Sequence, residues 1–574
     1  MQRDRLIPYP EESVKVDWDK AVRIYPKVMR LLAEDLDNLE NVRRGYTYWE
    51  TVVGSWLWKL LRLYFEPEFG AQSALARHPQ LLSKTNPQFL EDLVSDATSQ
   101  FSAAVKCLEW RSQLVKVLRG TDFGSYPKQT THFREGAGLP WRRRATSRTT
   151  KGRFLVKILE SIFNGRRVLV GQLPMPRTQQ ILFSLSLGFW PNFYFSKDDD
   201  SAARSRGKWE LSFRLSPGGR GTDKWPEEAR VASLARFLMP RNYVEDRNLI
   251  RQLAVTAGIP QNLDVVLLST EVHTDDVFNH WLGQARAKEL KVFGVQHGSH
   301  YWTAPYSEFL QHELRVSDYF IAWGKPPSAS SEKMIEGPVT RVMGRKQRRH
   351  SPRIKGFVFV LGTPLTDGFE YSSAWGPDPS FREQNSSVGR NLIEECDRRG
   401  IGVLVRPNPH FPLTMEMLEA ASTLSKPHGI VLDDSGLGLL DLLRKSSLTV
   451  HLPYSTPFLE CMSLNLPCLL LQTDFSVLST AGFQEDLELL ASAGIAHNSP
   501  ETLLTMLQMT PAEAEEWWLS DSVQRTRNDF CKKYCPVPAG ILEGALTLGK
   551  SVKKRLRPDD DDQPKTKMKF WLSG

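Results

Sequence analysis

Lys291-Val292-Phe293-Gly294-Val295-Gln296-His297-Gly298-Ser299-His300-Tyr301 reads as a short apolar run that stops at polar, glycine-containing text. Such a run, rich in valine and phenylalanine and bounded by turn residues, is the pattern of a buried strand. Just before it, Asp275 to Leu290 reads as a helix, and Asp264-Val265-Val266-Leu267-Leu268-Ser269 as another strand. After it comes Tyr319-Phe320-Ile321-Ala322-Trp323, a third. Upstream, Arg167-Val168-Leu169-Val170-Gly171 is a strand followed by helical text from Thr178 to Leu187. Apolar strands alternating with helices predict βα units and a parallel sheet.

The same alternation restarts beyond residue 355. Strands are expected at Gly356–Leu361, Ile401–Val405, Ile430–Leu432, Leu448–Leu452 and Pro467–Gln472. Helices are expected at Phe381–Arg399, Met415–Leu424, Leu437–Lys445 and Pro457–Leu464. Residues 1–125 carry apolar residues at helical spacing, as in Tyr25 to Leu32 and Trp49 to Tyr64. The 574 residues therefore divide into a helical N-terminal region with a basic loop (1–153), a first α/β lobe (154–340), a basic linker (341–355), a second lobe (356–550) and a disordered tail (551–574). Two α/β lobes in series imply a ligand cleft between them, where strand carboxyl ends converge.

Composition narrows the class. Apolar residues at 41% and charged residues at 24% exclude a collagen-like or wholly disordered chain. The sixteen tryptophans suggest aromatic-lined clefts. A net charge of +8 is unevenly held: segments 134–153, 341–355 and 553–569 carry +6, +7 and +3, leaving −8 on the remainder. That distribution argues against duplex nucleic acid as a partner, which would need one basic folded face. Basic loops of this kind read as solvated faces, or as contacts with anionic inner-membrane lipid or with a polyanionic acceptor. Six scattered cysteines suit a reducing compartment. Met1-Gln2-Arg3-Asp4-Arg5 lacks a signal-peptide apolar run, and the run from Trp56 to Leu61 is cut by Lys59 and Arg62, so a cytoplasmic chain is expected.

Polar residues cluster where strands end. His297, Gly298 and His300 follow one strand; Glu271 and His273, in Ser269-Thr270-Glu271-Val272-His273, follow another. Histidine and glutamate there suit acid–base work, while Asp275 or Asp276 suits a helix cap. Arg406-Pro407-Asn408-Pro409-His410 offers a stiffened loop with a guanidinium for phosphate or carboxylate. In His451-Leu452-Pro453-Tyr454-Ser455-Thr456-Pro457-Phe458-Leu459-Glu460 two hydroxyls meet a helix start, which caps the helix, binds an anion, or both. Ser435 lies in a related turn before another helix. No strand is followed by a phosphate-binding Gly-Lys-Ser/Thr loop, a Gly-x-Gly-x-x-Gly turn and a His-Glu-x-x-His helix are missing from the sequence, and no metal or other cofactor is expected.

Trp49 and Trp56, Gln296-His297-Gly298 with Tyr301, and Ser317-Asp318-Tyr319-Phe320…Trp323-Gly324 together resemble transferases of bacterial surface-carbohydrate clusters, distant relatives of capsule Kdo transferases and bacterial sialyltransferases. Arg406 to His410 stands where that superfamily carries an Arg-x-His-Pro motif, and Ser455 to Glu460 resembles its Ser-Thr-x-x-x-Glu motif. Two departures are plain: Ser299-His300 follows His-Gly in place of a second glycine, and Asn408 replaces the motif histidine, with His410 two residues on.

The resemblance implies a GT-B-like α/β fold, two Rossmann-like lobes with a central cleft plus the helical N-terminal region. It implies a glycosyltransferase whose nucleotide-sugar donor, such as CMP-Kdo or another CMP-linked 2-keto acid sugar, sits in the second lobe. A glycan or lipid-linked glycan acceptor would meet a base in the first lobe: Glu271, His273 or His297. Gly298, His300, Arg406, Asn408, His410, Ser435, Ser455, Thr456 and Glu460 would bind donor or acceptor. A phospho-group transferase of similar fold and a noncatalytic carbohydrate-binding relative are the alternatives.

Overall fold

A computed structural model describes residues 11–66, 71–77, 93–105, 108–119, 167–194, 207–216, 226–260, 262–288, 290–325, 332–345, 357–361, 379–407, 430–433, 436–474, 479–537 and 540–556. Two six-stranded parallel sheets form its frame. The first holds β1 (Arg167–Val170), β2 (Trp190–Phe193), β3 (Val265–Leu268), β4 (Lys291–Val295), β5 (Tyr319–Trp323) and β6 (Met334–Gly337), in the order β2-β1-β3-β4-β5-β6. The second holds β7 (Phe357–Leu361), β8 (Val403–Pro407), β9 (Ile430–Leu432), β10 (Thr449–Leu452), β11 (Cys468–Leu471) and β12 (Ala496–His497). Its order, β9-β8-β7-β10-β11-β12, is that of a dinucleotide-binding sheet, with the chain reversing direction between β7 and β10. β3, β10 and β11 are buried along their whole length, which is why β3 and β11 are unbroken runs of Val, Leu and Cys; β10 admits Thr449 and a buried His451.

The N-terminal region is helical, as its periodicity implies. Helix Glu11–Glu40 packs beside helix Tyr46–Phe65, in which every residue from Tyr48 onward is buried. A helix buried all round needs partners on every side. Trp58 stacks on Tyr25 at 4.4 Å and on Trp18 at 5.5 Å, while the opposite face meets helices Asp276–Arg286 and Glu308–Val316 of the first lobe. The tryptophans expected in clefts instead build cores: Trp49, Trp56, Trp58, Trp323 and Trp518 are fully buried. Their bulk fills wide helix–helix and lobe–lobe gaps. No helix among the described residues is long and apolar enough to cross a membrane.

Two boundaries differ from the sequence reading. Residues 340–342 form a 3-10 turn, and Val339 and Val342 sink into the apolar cluster that holds Trp323, Tyr454, Phe458, Phe530 and Tyr534. The first part of the expected linker is thus lobe-to-lobe packing, because its valines have an apolar cluster to enter; residues 346–356 lie outside the described residues. At the other end, helix Ile541–Leu556 extends into the expected tail and returns to the first lobe. Ala545, Leu548 and Val552 share a core with Val168, Phe183 and Leu187, and Ser186 Oγ donates to the Ala545 carbonyl at 3.1 Å. Burial of that apolar stripe holds the helix in place. The basic loop 134–153 and the residues after 556 lie outside the described residues.

Gly324, at the end of β5, sits where the two lobes touch. Its φ is +73°, and a Cβ there would stand 2.4 Å from the Lys533 carbonyl oxygen. Gly324→Ala is therefore expected to destabilise the chain by about 1–3 kcal/mol from backbone strain alone. The check is a lowered apparent Tm in a thermal melt.

Candidate functional site

The loop after β4 is fixed by Gln296. Its Oε1 accepts from the Trp323 amide at 2.8 Å and its Nε2 donates to the Gly298 carbonyl at 2.8 Å. His297 is thereby held at the cleft with 21% of its side chain exposed. Behind it the polar atoms run inward in a line. His297 Nδ1 meets the Tyr301 hydroxyl, which donates to Glu313 Oε1 at 2.8 Å. Glu313 Oε1 lies 2.8 Å from His273 Nε2, and His273 Nδ1 lies 2.9 Å from Ser55 Oγ. Lys59 donates to the His273 carbonyl at 3.0 Å, and Phe309 stacks on the His273 ring at 4.2 Å. Ser55 and Lys59 share a face of the N-terminal helix; Phe309 and Glu313 share a face of helix Glu308–Val316.

With Glu313 Oε1 accepting from both sides, one proton arrangement satisfies this line. The Tyr301 hydroxyl has a single proton, and it goes to Glu313. Tyr301 Oη then accepts from His297 Nδ1–H, and a neutral His297 is left with its lone pair on Nε2, which makes no hydrogen bond among the described residues. Likewise His273 donates from Nε2 to Glu313 and accepts from Ser55. Burial, and then the nearby Arg341 charge, hold His297 down at about 4, so its imidazole is neutral near pH 7. Burial also pushes His273 well below its ordinary value and Tyr301 well above. An uncharged imidazole with Nε2 free is the form a general base requires.

The second lobe closes over this loop. The Ser299 amide donates to Thr456 Oγ1 at 3.1 Å, and the Tyr454 hydroxyl donates to the Ser299 carbonyl at 3.3 Å. Helix Thr456–Leu464 therefore starts beside His297's own loop, at the end of β10 and next to the point where the second sheet reverses. Ser455 is its N-cap residue, yet its hydroxyl makes no cap; Ser455 Oγ and Ser299 Oγ are buried without a partner among the described residues. Arg341, half exposed, pairs with Glu460 on the same helix. The Thr456 amide, two unengaged hydroxyls and the half-exposed Arg341 guanidinium make a place for an anion.

The family profile described as LIC12162 family transferase matches residues 5–543. The chain belongs to that family. This LIC12162 family transferase matches no curated protein by sequence. In structure it is similar to MurG of Acinetobacter baumannii (10% identity over 67% of this chain and 99% of that one, TM-score 0.33). It is also similar to a UDP-GlcNAc 2-epimerase of Methanocaldococcus jannaschii, solved with UDP-GlcNAc and UDP (12%, 68% and 99%, TM-score 0.36). A third likeness is to the calicheamicin glycosyltransferase CalG4 (10%, 68% and 96%, TM-score 0.33).

The LIC12162 family transferase brings His297, Gly298, Ser455, Thr456 and Glu460 to one junction. His300, held down at about 4 by burial, borders it with its ring edge on Tyr454 at 5.5 Å. Glu271 and His273, expected to open on the cleft, are buried at 1% and 3% exposure. They sit one layer inward because the short helix Glu271–Thr274 after β3 packs against helix Tyr46–Phe65. Arg406 pairs with Asp433 and donates to the Leu437 carbonyl at 3.1 Å, so it braces its own lobe. Glu460, expected at the donor, is engaged by Arg341. Asn408, His410 and Ser435 lie outside the described residues, and among those described no group of His, Cys, Asp or Glu is placed to hold a metal. Tyr301, Glu313, Ser55, Lys59 and Arg341 were not among the expected site residues. Ser55 and Lys59 did leave a signal, polar side chains four apart in an apolar helix.

Glu271 gives this transferase a pH-dependent stability. Its Oε2 accepts from the Ser269 amide at 2.8 Å, while Gly171, lacking a Cβ, leaves room for Oε1, which has no partner among the described residues. Burial raises its pKa to about 7 from 4.5. The folded chain holds this proton more tightly than the unfolded one, so the contribution is full below pH 4.5 and lost as pH rises through 7. Glu271→Gln removes the titration. Its stability relative to wild type is expected to rise by about 3 kcal/mol between pH 4.5 and 7.5, read from denaturant unfolding at both pH values.

Proposed function

We propose that this chain is a nucleotide-sugar-dependent glycosyltransferase with its reaction centre between His297 and the start of helix Thr456–Leu464. The acceptor hydroxyl gives its proton to His297 Nε2. Its oxygen bonds to the anomeric carbon as the bond from that carbon to the phosphate oxygen breaks, and the electron pair leaves on the phosphate. The Thr456 amide, the Ser455 and Thr456 hydroxyls and Arg341 face that developing charge. The observation that carries this reading is the contact of the Ser299 amide with Thr456 Oγ1, which sets a free imidazole nitrogen and an uncapped helix start on either side of one joint. A CMP-linked 2-keto acid sugar such as Kdo is the donor the sequence resemblance favours, with a surface glycan as acceptor.

The test is nucleotide release from CMP-, UDP-, CDP- and TDP-linked sugars and from CDP-linked polyols, with and without oligosaccharide acceptors. Acceptor-stimulated release from one of them is the expected result. Release of a phospho-polyol in place of a sugar would overturn the reading in favour of a phospho-group transferase.

A further inference from the structure

The line of groups behind His297 costs stability. Glu313 is fully buried, its Oε2 has no partner among the described residues, and burial pushes its carboxyl well above the ordinary range. His273 is buried as a neutral ring, and Glu271 adds a second carboxyl whose charge opposes Glu313's ionisation. An apolar core of the same volume would avoid these desolvation terms. What the polar residues supply in exchange is geometry. A single oxygen, Glu313 Oε1, receives both Tyr301 and His273, and that pairing fixes which way the Tyr301 proton points. The elements involved come from three places: the loop after β4, the helix Glu308–Val316, and the N-terminal helix that carries Ser55 and Lys59.

We infer that Glu313, backed by His273 and Ser55, is a positioning residue that sets the tautomer of His297 through the Tyr301 hydroxyl, and that the N-terminal helical region is thereby a working part of the site. The inference rests on the reading of His297 as base for its kinetic consequence, but not for its structural one. Remove the acceptor oxygen and the Tyr301 proton has one remaining target, His297 Nδ1. The imidazole then carries its own proton on Nε2, where the acceptor's proton has to go. Loss of a carboxylate that orients a histidine acts in the same way in hydrolytic triads. Glutamine at 313 behaves differently. Its carbonyl can keep the Oε1 position and both incoming hydrogen bonds, with the amide nitrogen where Oε2 has no partner.

The experiment compares Glu313→Leu, Glu313→Gln and Tyr301→Phe in the full chain by two readouts. The first is the ring nitrogen NMR of His297, assigned by its loss in His297→Asn. Wild type and Glu313→Gln are expected to show Nδ1–H, and Glu313→Leu to show Nε2–H. The second is acceptor-stimulated turnover, which in Glu313→Leu is expected to fall about 10²-fold in kcat with KM little changed, and to be largely restored by glutamine. An unchanged tautomer in Glu313→Leu overturns the inference. If the tautomer switches while turnover holds, the positioning stands and the base assignment of His297 falls. Should Glu313→Leu not fold, Tyr301→Phe serves instead. It takes away the fixed acceptor for Nδ1–H, and a retained single Nδ1–H tautomer there would overturn the inference.

Discussion

His297→Asn is expected to lower kcat by about 10²- to 10⁴-fold, the usual contribution of a positioned base. Asparagine is the informative change because its amide can stand in for the Nδ1–H that meets Tyr301, while nothing replaces Nε2. The loop should stay in place, since Gln296 rather than His297 ties it to Trp323 and Gly298. Donor affinity is expected to remain within a few-fold of wild type. A kinetic split of this kind, with kcat lost and binding kept, separates loss of the base from collapse of the joint. Turnover close to that of wild type would remove His297 from the mechanism.

Ser455→Ala combined with Thr456→Val is expected to cost about 10²- to 10³-fold in kcat/KM, the scale seen when a donor to a developing negative charge is removed. Neither hydroxyl is needed to cap the helix: Ser455 makes no cap, and Thr456 Oγ1 accepts from the first lobe instead. Helix Thr456–Leu464 should therefore survive, anchored by Phe458, Leu459 and Met462 in the second core. The loss is expected in donor affinity as well as turnover, in contrast to His297→Asn. Equal steady-state kinetics in the double variant and wild type would contradict the placement of the donor phosphate.

Strands such as β4, β5, β10 and β11 are readable because both faces are covered and the sequence has no choice but to be apolar. β2 is not, since an edge strand tolerates Pro191 and half-exposed residues. β6 hides for the same reason, with Glu336 exposed on the opposite edge. The placement of His297, Ser455 and Thr456 at strand carboxyl ends was legible in the sequence, and such ends are where ligands gather in parallel sheets. Glu313 was not, because it lies mid-helix, and only the fold brings that helix under Tyr301. Arg341 was read as one of seven linker charges; its meaning comes from Val339 and Val342, which bury the turn and leave the arginine facing Glu460. Charge alone located the segment, and packing assigned the residue.

The most direct test of the central claim is calorimetric titration of the intact chain with CMP, UDP, CDP and TDP. Saturable binding of one of these nucleotides, weakened at least tenfold in the Ser455→Ala/Thr456→Val chain and unchanged in His297→Asn, is the expected result. Absence of binding by all four, or binding indifferent to the change at Ser455 and Thr456, would contradict a nucleotide-sugar site at this joint.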